Sequence, residues 1–251
     1  MKKQIFVSVT LIMAVFLLQN CTKQTLPEFE ITEYNKVVGS CDSSICIDIH
    51  LKYHLMKDSY PASEAFNPLI ENKIFSKMGY EGGETYKPKD QWVDRLLKDF
   101  DAFKTEFPDA ETGGYHQDTE TTITSEDEHV ISILIDSYVY AGGAHGMHFR
   151  EFLNVDPKTG KEIDIYDRIK NKDGFGKLVE AKLRQYLDMG PNDSWEDFTL
   201  VNEFALPANI GLTEEGMLLI YNEYEVLSYA DGVIELNLGK EEIKDYYDVQ
   251  N

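Results

Sequence analysis

Between Ile47 and Leu55 apolar and polar residues alternate without a break. Ile47, Ile49, Leu51, Tyr53 and Leu55 take one set of positions; Asp48, His50, Lys52 and His54 take the other. A period of two sends successive side chains to opposite faces, which is the pattern of a half-buried antiparallel strand. His50 and His54 fall on the wet face. Neighbours on one face are two residues apart, so these two are poor co-ligands and read as solvated surface.

The period then changes. Asn67 and Pro68 read as a helix cap and first helical position, with Leu69, Ile70, Ile74 and Met78 following at helical spacing until Gly79. A second helix is predicted from about Asp90 to Phe107, with Trp92, Leu96, Phe100, Phe103 and Phe107 as a core stripe. Strands follow. Tyr115 to Thr124, threonine-rich, suits an exposed strand, and apolar Val130 to Tyr140 a central one. Met147 to Val155 alternates, Asp156 to Gly160 is a turn, and Glu162 to Tyr166 is the expected hairpin partner. A third helix starts near Asp173. Met217 to Val226 and Val233 to Leu238 form a last hairpin about Asp231 and Gly232, and Lys240 to Tyr247 a closing helix. Helices and hairpins come in blocks, so the expected class is α+β, antiparallel sheets with packed helices in two sequential subdomains. The expected division is residues 1–20, 21–28, 29–155 and 156–251.

The first two segments concern address. Lys2 and Lys3 precede an apolar run from Ile5 to Leu18, too short for a span of roughly 20 residues and read as a secretory signal. The run ends Leu17-Leu18-Gln19-Asn20-Cys21, which resembles a bacterial lipobox, with Asn20 where a small residue is usual. The resemblance implies cleavage before Cys21, its lipidation, and a short tether over residues 21–28. The expected location is outside the cytoplasm, lipid-anchored at the outer membrane or cell surface. Cys41 and Cys46 remain as an even pair, expected to bridge in an oxidising envelope; two buried thiols are the alternative.

Charge narrows the partners. The chain has 24 basic against 45 acidic residues, a net charge of −21. That argues against nucleic acid and against electrostatic docking on anionic lipid. It favours a cationic partner. The nucleophile elbow, the phosphate and dinucleotide loops, the zinc-protease motif and the calcium loop are all missing. No catalytic residue, metal or cofactor is expected on those grounds, although an envelope hydrolase stays open as a minor reading.

One cluster stands out, Tyr138-Val139-Tyr140-Ala141-Gly142-Gly143-Ala144-His145-Gly146-Met147-His148. Glycines permit positive φ and close approach, and a histidine among them can meet a ligand or simply bond a nearby carbonyl. His145 and His148 lack a visible third metal ligand. Tyr140, Gly142, Gly143, His145 and Gly146 are therefore candidate binding residues. Tyr221, Tyr224 and Tyr229, near the last hairpin's strand ends and turn, are candidate anchors if exposed.

The run Tyr140 to Gly146 resembles the Y-x-G-G-A-H-G signature of an extracytoplasmic bacterial family. Asn154, Asp156, Gly160 and Lys161 match its following hairpin. Leu212-Thr213-Glu214-Glu215-Gly216-Met217, Tyr224-Glu225-Val226 and Tyr229-Ala230-Asp231-Gly232 match its last segment. The resemblance runs from about Ile45 to Tyr247. It is to the RsiV/PdaC-type pair of domains of unknown function. That pair forms the ectodomain of a lysozyme-binding anti-sigma factor and accompanies a peptidoglycan deacetylase as a non-catalytic module. The resemblance implies an α+β binding module, for a lysozyme-like basic protein or, alternatively, for peptidoglycan or another glycan.

Overall fold

A computed structural model describes residues 26–40, 45–78, 89–108 and 114–247. The chain has mixed α+β content, in two sheets. The first has five strands in the order β1 (Phe29–Ser40), β2 (Ile45–Met56), β3 (Tyr115–Glu126), β4 (Ile131–Tyr140), β5 (Met147–Val155). Helices α1 (Ser63–Phe75) and α2 (Lys89–Glu106) connect β2 to β3, which run parallel; the other neighbours are antiparallel. The second sheet is β6 (Asn209–Thr213), β7 (Gly216–Tyr221) and β8 (Ile234–Gly239), with α3 (Lys172–Tyr186) and the short α4 (Lys240–Ile243).

The alternation at 47–55 does what its period demands. Ile47, Ile49, Leu51 and Tyr53 enter a core with Phe66, Ile70 and Ile74 of α1 and Trp92 and Leu96 of α2. Phe100 is also buried, but Phe103 and Phe107 are exposed. The aromatic stripe thus leaves the core over its last turn, where the two rings pair with each other at 5.2 Å.

Several local expectations are corrected. Strand β1 was not anticipated, nor was β6. Helix α1 begins at Ser63, so Pro68 sits inside it and forfeits one intrahelical bond. Asn67 is no cap. Its amide accepts from the Met56 N–H and donates to the Met56 carbonyl, both at 2.9 Å, closing the end of β2. Strand β3 is central rather than exposed. On its inner face Gln117, Thr119 and Thr121 are buried: Gln117 donates to the Ile74 carbonyl at 2.9 Å and to the Thr119 hydroxyl at 3.0 Å, and Thr119 donates to the Ser137 hydroxyl at 2.9 Å. Glu162 to Tyr166 contributes one bridge, to Val155, and then a 3₁₀ turn instead of a strand. In the stretch expected as a tether, Pro27 is buried and Glu28 pairs with Lys57 at 2.6 Å.

The second sheet docks on the outer face of the first through its own edge. Strand β6 lies at that edge, where backbone groups would otherwise be unpaired. Ser132 accepts from the Leu212 N–H at 3.0 Å and donates to the Asn154 amide oxygen at 2.6 Å. Asn154 in turn donates to the Ile210 carbonyl at 2.8 Å. An irregularity in β3 between Ile123 and Ser125 leaves Thr124 unpaired in the ladder, and its hydroxyl donates to the Leu212 carbonyl at 2.6 Å. Gly211 makes the approach possible, because a Cβ there would stand 2.0 Å from the Phe152 ring. Phe152, Leu134, Leu218 and Ile220 form a small apolar cluster at the seam.

Asn154→Ala removes a buried hydrogen-bonding hub and strands the Ile210 carbonyl. The expected loss is about 2–3 kcal/mol in urea unfolding. A loss below about 0.5 kcal/mol, the size of an ordinary surface change, contradicts this account of the seam.

Candidate functional site

Beyond the area covered by the second sheet, the outer face of the first sheet is a lattice of polar side chains set by register. Asp48, His116 and Tyr140 form one row across β2, β3 and β4. His50, Asp118, Tyr138 and His148 form the next, and Lys52, Glu120, Asp136 and Arg150 the third. Charges neutralise along and between rows. Lys52 meets Glu120 at 2.6 Å, Arg150 meets Asp136 at 2.9 Å, and Asp48 meets His50 at 2.8 Å and His116 at 3.5 Å. Rings line the upper rows. Tyr138 lies 4.9 Å from His148 and 5.8 Å from His116, which lies 6.3 Å from His50. Below them is an open groove of about 490 Å³.

The connection from β4 to β5 rises beside this face. Tyr140 closes it by donating to the Gly143 carbonyl at 3.0 Å. Gly142 and Gly143 have φ of 91° and 98° with open space around them. Gly146 is needed for a different reason, since a Cβ there would stand 2.4 Å from the Tyr138 ring. His145 is exposed, with its Nδ1 2.8 Å from the Gly146 carbonyl.

The second sheet brings its tyrosines to the same place. After β7 the chain clips the edge of β5: Asn222 accepts from the Arg150 N–H at 2.8 Å and donates to the Arg150 carbonyl at 3.0 Å. Glu223 is buried and accepts from the His148 N–H at 3.3 Å, and Glu235 pairs with the Arg150 guanidinium. Tyr224 follows with φ of 68°, uncommon outside glycine, and is 50% exposed. Tyr229 stacks on His145 with centroids 3.9 Å apart and planes 22° apart, and lies 6.2 Å from Tyr224. Partial burial and the charge of Glu223 hold the Tyr229 phenol above its usual range.

The structure therefore brings together Tyr140, Gly142, Gly143, His145, Gly146, Tyr224 and Tyr229. Tyr221 does not join them. It is 2% exposed, donates to the Ala205 carbonyl at 2.8 Å, and is pushed upward in pKa by burial. It lines a separate apolar cavity of about 200 Å³ with Trp195, Phe204 and Val226. Cys46 is disulfide-bonded. Cys21 and Cys41 lie outside the described residues. Among the described residues no group of His, Cys, Asp or Glu is arranged to hold a metal. His50 and His54 point to different partners, His54 lying 2.9 Å from the Thr121 hydroxyl, and burial lowers its pKa. Sequence reasoning did not place His116, Tyr138, His148 and Arg150 together on one face. Their signal was present in the alternation, but only the pairing register shows that they are neighbours.

The glycines divide into two kinds, and substitutions separate them. Gly146→Ala drives a methyl into the Tyr138 ring, with an expected cost of about 1–3 kcal/mol. Gly143→Ala meets open space but a strained φ, costing about 1 kcal/mol. Thermal melts of the two variants check the order, and equal or reversed losses contradict the packing of Gly146 on Tyr138.

Two family models match the chain, one after the other. Residues 43–148 match the family described as Deacetylase PdaC, and residues 164–241 match Protein of unknown function (DUF3298). No curated protein matches the chain. A solved DUF3298-family protein from Bacteroides fragilis is similar at a TM-score of 0.66 and 18% identity, over 88% of this chain and 93% of that one. Another from Pseudomonas aeruginosa gives 0.65 and 18%, over 90% and 96%. At that identity the likeness speaks for the fold, and neither family match indicates a ligand or a catalytic activity for this chain. The chain carries a PdaC-type domain followed by a DUF3298 domain.

Proposed function

We propose that the chain is a lipid-anchored extracytoplasmic protein that binds a cationic protein, lysozyme being the case suggested by the family resemblance. The observation that carries this reading is the stack of His145 on Tyr229, with Tyr224 beside it, built from two loops of two domains. Stacked, partly exposed rings on clamped backbone are rigid amphipathic anchors that lose little entropy on binding. Glu223 lies close enough to Tyr229 to hold its phenol above the usual range, on a chain whose net charge of −21 steers a basic partner toward it. The deacetylase in the name of the first matching family belongs to that family, and no step of catalysis is proposed here.

Calorimetry of the full chain in mild detergent with lysozyme, at low and moderate salt, tests the reading. Micromolar or tighter binding that survives moderate salt is expected. Tyr229→Ala should weaken it at least about tenfold, or about 1.4 kcal/mol. Tyr186→Ala, exposed on α3, should leave it unchanged. Heat that vanishes with salt means charge attraction alone and removes the reading. Binding of muropeptides in place of lysozyme, lost in the same Tyr229 variant, gives the surface to a glycan instead.

The anchor has its own test. Cys21→Ala should abolish metabolic labelling by a fatty acid and move the protein from the membrane to the soluble fraction. Unchanged labelling and partition rule out lipidation at Cys21.

A further inference from the structure

The two edges of the five-stranded sheet are treated differently. At β5 the Asn222 amide occupies both backbone groups of Arg150, and Glu223 takes the His148 N–H. At the other edge β1 runs for 12 residues with β2 as its one strand neighbour among the described residues. Its pairing with β2 is regular throughout, without a bulge, and it contains no proline. Among the described residues no strand pairs the donors and acceptors of that edge. It also carries the two strand residues most at odds with exposure: Ile31 and Val37 are each 57% exposed. They share a face with Glu33 and Asn35, and Asn35 bonds His50 on the outer side of the sheet.

The geometry points to a twofold dimer in which β1 pairs antiparallel with β1 of a second copy, extending the two sheets into one. A twofold perpendicular to the sheet keeps each face continuous, so residues that meet must share a face. The sequence of β1 is self-complementary in one such register, with Tyr34 opposite its copy. Ile31 then meets Val37 of the second copy, and Val37 meets its Ile31, so both exposed apolar side chains are paired twice over. Glu33 meets Asn35 of the second copy. On the opposite face Thr32 meets Lys36, which stands diagonal to Glu30 of the second copy. Sliding one step one way sets Glu33 against Glu33. Sliding the other way leaves Ile31 opposite Gly39 and Glu33 opposite Val37. One register alone thus pairs the apolar residues and avoids like charges. The dimer edge lies three strands from β4, so the His145–Tyr229 surface stays open in both copies.

Two acidic chains repel at long range, so the local edge must overcome a net charge of −21 on each. Moderate salt should therefore strengthen the dimer, the opposite of its effect on a cationic partner. Sedimentation velocity of the full chain in mild detergent, over a range of micromolar concentrations, reads this directly. A dimer fraction that rises with concentration and with moderate salt is expected. The double variant Ile31→Lys/Val37→Lys should be monomeric at every concentration while keeping the wild-type fold by circular dichroism, since both side chains are exposed. Ile31→Cys/Val37→Cys should cross-link into dimers on oxidation while neither single-cysteine variant does. A monomer at all concentrations overturns the proposal, as does a dimer that persists in the lysine variant. Cross-linking by a single variant, or none by the double, overturns the register.

Discussion

The architecture depends on how one sheet edge is satisfied. Strand β6 could have ended the second sheet against water, or against a strand of another chain. Instead its Ile210 carbonyl and both backbone groups of Leu212 are taken by side chains of the first sheet, Asn154, Ser132 and Thr124. Side chains on a sheet face point outward at fixed intervals, so a row of short polar residues can receive a strand edge-on. Apolar residues could cover β6 but not pair it, and an unpaired buried backbone group costs about as much as a lost hydrogen bond. The seam is apolar elsewhere, with Phe152, Leu134, Leu218 and Ile220 packed around the polar row. The two domains are thereby held in one arrangement, and the loops carrying His145 and Tyr229 are fixed relative to each other.

This explains which parts of the fold could be read in advance. Strand β2, α3 and β4 carry their periods plainly, because one face of each meets a large apolar core. Strand β3 hid its central position. Gln117, Thr119 and Thr121 look solvated residue by residue, but they are buried with partners on other elements, Ile74, Ser137 and His54, which no local pattern contains. Pro68 misled for a related reason. Proline at a first helical position is a sound local rule, but Asn67 was already used by the end of β2, a tertiary demand that no local rule contains.

The site was half legible. Glycines between two apolar strands and tyrosines near a turn were each suspicious separately. Their meeting was not, because His145 and Tyr229 are 84 positions apart in sequence and joined only by the docking of β6 and by Asn222 on β5. Tyr221 shows the opposite error. It lies in the same tyrosine-rich stretch, but strand alternation sends it inward, to the Ala205 carbonyl, while the chain after β7 turns Tyr224 outward at a positive φ.

Backbone clamps rather than ring contacts are what hold the surface in shape. A stack of two exposed rings is worth about 0.5–1.5 kcal/mol, too little to order two loops. Asn222 supplies two hydrogen bonds to Arg150, Tyr140 ties the glycine connection at Gly143, and Ser228 and Asp231 cap the turn that bears Tyr229. With the loops already ordered, the rings do not need each other for stability. Order on this face thus comes from polar clamps on the backbone, and the aromatic rings add little to it.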